Sequence, residues 1–241
     1  MVSPSQYPAE AADDYCLRAG EAARLLAGHP WRSFVVVGDS IAEGLGDSCP
    51  GYPDVPWCDR IAAELREQRP GMSYLNLGTR NTPAATVQAE QLPAALAAGA
   101  DLALVACGGW DLLQPAYDAA AVAATLGAIA ASFTETGCDV ITVGLFDGSR
   151  APALPEEFRA PFRDRLHDLS GRTQAIAGRL GTLHVPLTAH PASGDANIYS
   201  ADLRHGTMRG HAISAAETIR RLGAYLDSSG RRAARADAGP R

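Results

Sequence analysis

The sequence predicts an α/β fold in which a parallel sheet is covered by helices on both faces. Short apolar runs alternate with helical patterns along the chain, as in strand–helix–strand units. The runs are continuously apolar, which is typical of strands buried on both faces. Five runs are too few for an eight-stranded barrel. We therefore expect a flavodoxin-like, doubly wound sheet of five parallel strands in a three-layer α/β/α sandwich.

The five predicted strands are short segments rich in Val, Leu and Ile. They cover residues 33–38, 73–77, 101–107, 138–146 and 182–187. In folds of this kind, ligands bind at the carboxyl ends of the strands. We therefore expect three features at one edge of the sheet. They are Ser40, which follows the first strand, and the loops after the second and third strands.

The predicted helices lie between and after these strands. They cover residues 55–68, 82–99, 118–137, about 161–180 and 208–226. In the second of them, we expect Thr82 as the N-cap and Pro83 at the first helical position. This main domain, residues 31–227, is expected to carry a helical lead-in at 1–30. The polar segment 228–241, rich in Arg and Ala, is expected to be a disordered tail.

Composition restricts the class of function. The chain has 21 Lys and Arg against 27 Asp and Glu, and this net charge of −6 argues against a general nucleic-acid binder. Residues 1–16 lack the pattern of a signal peptide, and no apolar stretch is long enough to span a bilayer. Five scattered cysteines without C-x-x-C predict reduced thiols; Cys49 and Cys58 would pair only in a secreted protein. A cytoplasmic location is expected.

Common nucleotide and hydrolase motifs are missing around the first strand. Gly38, Gly44 and Gly46 do not fit G-x-G-x-x-G, and no G-x-x-x-x-G-K-[ST] occurs in the chain. The G-x-S-x-G elbow is also missing, because Gly38-Asp39 precedes Ser40. Nucleotide binding through these motifs is therefore disfavoured.

Ser40 and the segment "YSADLRHGTMRGH" (199–211) together indicate nucleophilic catalysis. A serine needs a base within hydrogen-bond reach, and an imidazole base needs a carboxylate to hold its tautomer and stabilise its cation. Asp202 and His205 lie three residues apart before the last helix, at the sheet edge expected for Ser40. A metal site of Asp202, His205 and His211 is the weaker alternative, because H-E-x-x-H does not occur.

Three blocks of sequence follow one another along the chain. They read "VVVGDSIAEGLGD", "ALVACGGWDLL" and "SADLRHGTMRGH". In order and spacing they resemble the first, third and last blocks of the GDSL or SGNH-hydrolase family, from about Phe34 to Leu226. The residues of these blocks are most similar to those of GDSL-type proteins from high-GC actinobacteria. The resemblance implies the same α/β/α fold and hydrolysis of esters or thioesters without a cofactor. The family also includes acyltransferases and polysaccharide deacetylases.

The resemblance implies roles for individual residues. Ser40 is implied as the nucleophile, His205 as the general base and Asp202 as its orienting carboxylate, with the Ser40 N–H as one oxyanion donor. Further candidates for oxyanion or substrate binding are Asp39, Arg80, Asn81, Gly109 and Trp110. The expected partner is a small acyl ester or thioester, with no nucleic acid and no membrane; the oligomeric state is left open.

Two positions depart from the family pattern. Trp110 replaces the third-block Asn, which is a side-chain oxyanion donor, and Asn81 stands where the second block has Gly. Asn81 keeps a backbone N–H, tolerates the left-handed conformation and carries a side-chain amide. Trp110 either packs against the pocket, which leaves one donor missing, or donates its indole N–H.

Charged residues near the expected site have two interpretations. Asp39 and Asp111 are expected to organise loops by accepting backbone hydrogen bonds. Arg80 and Arg204 would either bind an anionic acyl group or stay solvated. His211 is expected to stabilise the start of the last helix.

Three hypotheses of function remain open. The first is a serine hydrolase of small acyl esters, and the second is an acyltransferase of secondary metabolism that passes the acyl group to an alcohol or amine. The third is a non-catalytic, SGNH-like binding protein. The complete Ser-His-Asp set favours catalysis, whereas the two changed oxyanion positions favour the binding protein.

Overall fold

The computed structural model describes residues 7–230 and places a five-stranded sheet between two layers of helices. The strands are β1 (Ser33–Gly38), β2 (Ser73–Asn76), β3 (Leu102–Ala106), β4 (Asp139–Gly144) and β5 (Leu183–Pro186). All strand pairs are parallel, and their order across the sheet is β2-β1-β3-β4-β5. The predicted doubly wound α/β/α sandwich is confirmed.

The helices divide between the two faces of the sheet. They are α1 (Pro8–Ala12), α2 (Glu21–Leu26), α3 (Ser40–Glu43), α4 (Trp57–Gln68), α5 (Ala84–Thr86), α6 (Leu92–Ala97), α7 (Gly109–Leu112), α8 (Ala119–Glu135), α9 (Glu156–Leu180) and α10 (Met208–Ser229). Helices α2, α4 and α10 bury one face of the sheet, and α5, α6, α8 and α9 bury the other. Apolar burial on both faces explains why the strands read as continuous apolar runs.

Two helices begin away from their predicted positions. Thr82 does not cap the second predicted helix: Pro83 is extended, the helix starts at Ala84, and the Ala84 N–H donates to Asp111 Oδ2 at 2.9 Å. A distant carboxylate thus takes the capping role expected of the local threonine. A π-helical turn, Val87–Gln91, then separates α5 from α6.

Helix α9 begins at Glu156, five residues before the predicted start, and contains Pro161. Proline lacks an N–H, so the carbonyl four residues earlier loses its helical partner. That carbonyl belongs to Glu157, which is exposed and has access to water. The helix therefore continues through Pro161, which the sequence analysis predicted as its first residue.

The N-terminal lead-in packs against α10, the last helix that the structure describes. The lead-in is held against α10, because the Arg220 guanidinium pairs with Glu21 at 2.8 Å and donates to the carbonyls of Tyr15 and Cys16 at 2.9 Å. Of the predicted tail, Ser228 and Ser229 continue α10, whereas residues 231–241 lie outside the described part of the chain. No helix between residues 7 and 230 has the length and apolar character that crossing a bilayer requires.

Candidate active site

Ser40 begins α3, directly after β1. Two residues earlier, Gly38 has φ 155°, and a Cβ there would collide with the Ala106 carbonyl of β3. Glycine is therefore required where β1 passes so close to β3. The buried amide of Gln91 brackets the same glycine, since its Oε1 accepts the Gly38 N–H at 2.8 Å and its Nε2 donates to the Gly38 carbonyl at 2.9 Å. The turn that presents Ser40 is thus fixed from both sides.

Asp39 is completely buried and joins two loops of the site. Its Oδ1 accepts the Ile41 N–H, which caps α3, and its Oδ2 accepts the Trp110 N–H, both at 3.0 Å. Burial raises the pKa of Asp39 to about 6, and the two N–H donors oppose the rise only in part. The predicted loop-organising role of Asp39 matches this geometry. Asp39 acts by accepting backbone hydrogen bonds, and it does not line the cavity beside Ser40.

Ser40, His205 and Asp202 form one continuous chain of hydrogen bonds. His205 Nε2 lies 2.9 Å from Ser40 Oγ, and His205 Nδ1 lies 2.6 Å from Asp202 Oδ2. Asp202 Oδ1 accepts the backbone N–H groups of Arg204 and His205 at 2.9 and 3.1 Å. Burial disfavours the charged carboxylate, but these N–H groups and the imidazole outweigh it and lower the pKa of Asp202. The carboxylate is thereby kept ionised beside the imidazole.

The loop that carries His205 is tied to the loop after Ser40 by residues that the sequence did not single out. The Asp47 N–H donates to Ser200 Oγ at 2.8 Å, and Asp47 Oδ2 accepts the Ala201 N–H at 2.8 Å. Gly46 passes so close to the Gly206 carbonyl that a Cβ would overlap it. These contacts join segments about 150 residues apart, so no local pattern could have indicated them.

His211 has a different task from the one expected. Its Nδ1 accepts the Trp57 N–H at the start of α4, and its Nε2 is 3.1 Å from the Leu45 carbonyl. Burial lowers the pKa of His211 to about 4 and keeps the ring neutral. Both ring nitrogens are occupied, which contradicts the alternative of a metal site with His211. Within residues 7–230, no cluster of three or more His, Cys, Asp or Glu could hold a metal ion.

Two backbone N–H groups are free to stabilise an oxyanion. Asn81 has φ 59°, the left-handed conformation that the sequence suggested it could tolerate, and lies with Ser40 in the wall of one cavity. Among the described residues, neither the Ser40 N–H nor the Asn81 N–H has an acceptor. Gly109 and the half-buried Trp110 line the same cavity, and the Trp110 indole N–H has no partner within residues 7–230.

Arg80 pairs with a carboxylate outside the cavity beside Ser40. Its guanidinium pairs with Glu43 at 2.8 Å, and its backbone N–H donates to the same carboxylate at 2.6 Å. Arg80 is not in the wall of the cavity, whereas Arg204 is. The structure therefore places Arg204, and not Arg80, at the site.

Comparisons with known proteins identify a family for most of the chain. A sequence model of the GDSL-like lipase/acylhydrolase family matches residues 36–213, about three quarters of the chain. No curated protein shows a significant match.

Solved structures with the same fold are distant in sequence. A lipase/acylhydrolase from Enterococcus faecalis is 18% identical, with 80% of this chain and 96% of that chain covered and a TM-score of 0.62. The acetylxylan esterase Axe2 from Geobacillus stearothermophilus is 17% identical, with 82% and 95% covered and a TM-score of 0.65. TesA is 22% identical, with 79% and 97% covered and a TM-score of 0.64.

Proposed function

The chain belongs to the GDSL-like lipase/acylhydrolase family and is an ester hydrolase, and from this premise we propose that Ser40 is its nucleophile. The observation that carries the proposal is the hydrogen-bonded chain from Ser40 Oγ through His205 to Asp202, with links of 2.9 and 2.6 Å. This is the arrangement that an activated serine needs. It also argues against the non-catalytic binding protein, which has no use for such alignment.

The first half-reaction transfers the acyl group to the enzyme. His205 Nε2 takes the Ser40 hydroxyl proton while Oγ bonds to the substrate carbonyl carbon, and the carbonyl oxygen becomes an oxyanion. Asp202 accepts the Nδ1–H and stabilises the imidazolium. When the tetrahedral intermediate collapses, the carbon–oxygen bond to the alcohol breaks, and His205 gives its proton to the leaving oxygen.

The second half-reaction releases the acid. Water loses a proton to His205 and attacks the acyl-enzyme carbonyl carbon; the proton then returns to Ser40 Oγ as the ester bond breaks. An alcohol or amine in place of this water would give the acyltransferase alternative. Product analysis with an added acceptor separates the two outcomes.

The oxyanion is assigned two backbone donors, the N–H groups of Ser40 and Asn81, because both are free and face one cavity. Trp110 is assigned to the cavity wall. Removal of one oxyanion donor typically costs about 10²–10³ in turnover, so a two-donor site would be a slow esterase. Asp39 is assigned a positioning role, because it holds the backbone after Ser40 and the backbone of Trp110 together.

The supported substrate class is an ester of a small carboxylic acid. One solved relative is described as a lipase/acylhydrolase and another as an acetylxylan esterase, and both descriptions concern ester bonds. A thioester reacts through the same steps with a thiolate as the leaving group. Cytoplasmic location, actinobacterial origin and independence from a cofactor stay predictions of the sequence.

Labelling with a fluorophosphonate tests the nucleophile. Intact-mass spectrometry should show one adduct on the wild-type protein and none on Ser40→Ala. Ser132→Ala, which removes a half-buried hydroxyl that bonds only within α8 and lies outside the cavity, should label like the wild type. Absence of an adduct on folded wild-type protein, or an adduct on Ser40→Ala, would overturn the assignment.

A further inference from the structure

The cavity beside Ser40 reaches into the core of the protein. Its volume is about 150 Å³. Its wall includes Trp57 from α4, Leu166 from α9, Val143 at the end of β4 and Leu187 after β5, each more than nine-tenths buried. These residues come from both faces of the sheet. The cavity therefore lies at the carboxyl edge of the sheet and extends inward from the half-buried Ser40.

The polar side chains in the wall away from Ser40 and Trp110 offer a substrate no free hydrogen-bond donor. These side chains already bond within the protein. The bonds are Tyr199 Oη to the Ser193 carbonyl (2.8 Å), Ser214 Oγ to the Gly210 carbonyl (2.9 Å), Trp57 Nε1 to the Ile41 carbonyl (2.7 Å), and both nitrogens of His211 as described above. The remaining polar side chains of the wall belong to Asn81, Trp110, Arg204 and His205, which line the same cavity as Ser40. A group rich in hydroxyls would lose hydrogen bonds with water and regain none here.

The cavity volume matches a group of about six carbons. An apolar protein cavity of about 150 Å³ holds a molecule the size of benzene. An acetyl group would leave most of the space empty and forgo the contacts with the wall. A chain of ten or more carbons exceeds this volume, so its end would have to leave the cavity or displace the buried side chains.

The acyl half of the ester is the half that fits this enclosed space. His205 must protonate the leaving oxygen, so the leaving group lies on the side of His205. That side is open, because Arg204 and Asp202 beside it are exposed. The acyl group stays bonded to Ser40 until water arrives and does not need an exit during the first half-reaction.

We propose that this cavity, the acyl cavity, selects a compact, apolar acyl group of about six carbons over both acetyl and long-chain acyl groups. The proposal rests on the function proposed above and deepens it. Ser214 on α10 is the residue chosen to test it, because it is 9% exposed, lines the cavity and uses its hydroxyl only within its own helix.

The first test measures binding without catalysis, so that it stands even if Ser40 is not the nucleophile. Straight-chain carboxylates from acetate to dodecanoate are titrated calorimetrically into Ser40→Ala protein. Burial of each methylene contributes roughly a fourfold gain in affinity. The dissociation constant should therefore fall by on the order of 10² from acetate to hexanoate, and stop falling beyond about eight carbons. Equal affinity for acetate and hexanoate would overturn the proposal.

The second test measures kcat/KM for p-nitrophenyl esters of the same acids. Wild type should prefer hexanoate over acetate by on the order of 10². Ser214→Leu fills part of the cavity and should reduce this preference at least tenfold. Ser132→Leu is the matched control: Ser132 also bonds the carbonyl one turn earlier but does not line the cavity, so the preference should stay unchanged.

The outcomes separate the two proposals. Chain-length-dependent binding without any ester hydrolysis or labelling would contradict the proposed nucleophile and support the acyl cavity. Two outcomes would contradict the acyl cavity and leave the nucleophile supported. One is hydrolysis that is fastest with the acetate ester. The other is a preference for hexanoate that Ser214→Leu and Ser132→Leu alter equally.

Discussion

Replacing Trp110 by Asn tests whether the oxyanion site lacks a donor. The Trp110 N–H bonds to buried Asp39 at 3.0 Å, and this backbone contact does not depend on the side chain. The variant therefore keeps position 110 in place and exchanges an indole in the cavity wall for an amide. With the N–H groups of Ser40 and Asn81 already available, a third donor should raise kcat by about 10²-fold, the lower end of what one donor contributes.

The assay is steady-state hydrolysis of p-nitrophenyl acetate, whose acyl group is too small to depend on the cavity wall. Trp110→Leu is the control, because it opens the wall in the same way without adding a donor. We expect kcat to rise in Trp110→Asn and not in Trp110→Leu. An equal rise in both variants would refute the donor argument. A loss in both would show that the indole N–H itself stabilises the oxyanion.

Three further predictions concern residues around the nucleophile. Asp202→Ala removes the carboxylate 2.6 Å from His205 and should lower kcat by roughly 10²- to 10⁴-fold with little change in KM. Gln91→Leu leaves the buried Gly38 N–H without its side-chain acceptor and should lower the free energy of unfolding by about 1–3 kcal/mol, measured by urea unfolding. Burial raises the pKa of Asp39 from 3.8 to about 6, so its stabilising contribution is complete below pH 3.8 and is lost as the pH rises through about 6; relative to Asp39→Asn, wild type should lose about 2 kcal/mol of unfolding free energy between pH 4 and pH 6.

Each of these predictions has a control within the chain. Asp168→Ala removes an exposed carboxylate paired with an arginine on α9 and should leave kcat unchanged, unlike Asp202→Ala. Gln88→Leu alters the same π-helical turn without a bond to β1, and equal destabilisation by both glutamine variants would contradict the role of Gln91. Parallel unfolding curves for wild type and Asp39→Asn across pH 4–6 would show that Asp39 does not hold its proton more tightly when folded.

The parts of this structure that sequence reasoning predicted are those encoded locally. Each strand is a run of apolar residues, and five such runs sufficed to predict the parallel sheet. Ser40 follows the first run directly, and Asp202 and His205 share one short segment, so their meeting needed only the rule that the carboxyl ends of parallel strands share one edge. The spacing of Asp202 and His205 also allowed their direct contact on one turn.

The remaining features depend on contacts between distant segments. Glu43 pairs with Arg80 across 37 residues, and neither residue carries a local sign of this partner. Asp111 caps a helix that begins at Ala84, so the neighbouring threonine is not needed for that role. The acyl cavity is likewise invisible in the sequence, because residues from helices on opposite faces of the sheet form its wall.

The two unusual features of the site act on different kinetic parameters. A buried acyl chain interacts with the wall before and during the reaction, so cavity contacts should mainly lower KM. An oxyanion donor acts on charge that exists only near the transition state, so the change at Trp110 should mainly affect kcat. Trp110 also belongs to the cavity wall. If the acyl chain touches its ring, Trp110→Asn should raise kcat and at the same time weaken the preference for hexanoate over acetate, whereas Ser214→Leu should weaken that preference alone. Measuring both parameters for both esters in these two variants therefore distinguishes binding of the acyl group from stabilisation of the oxyanion.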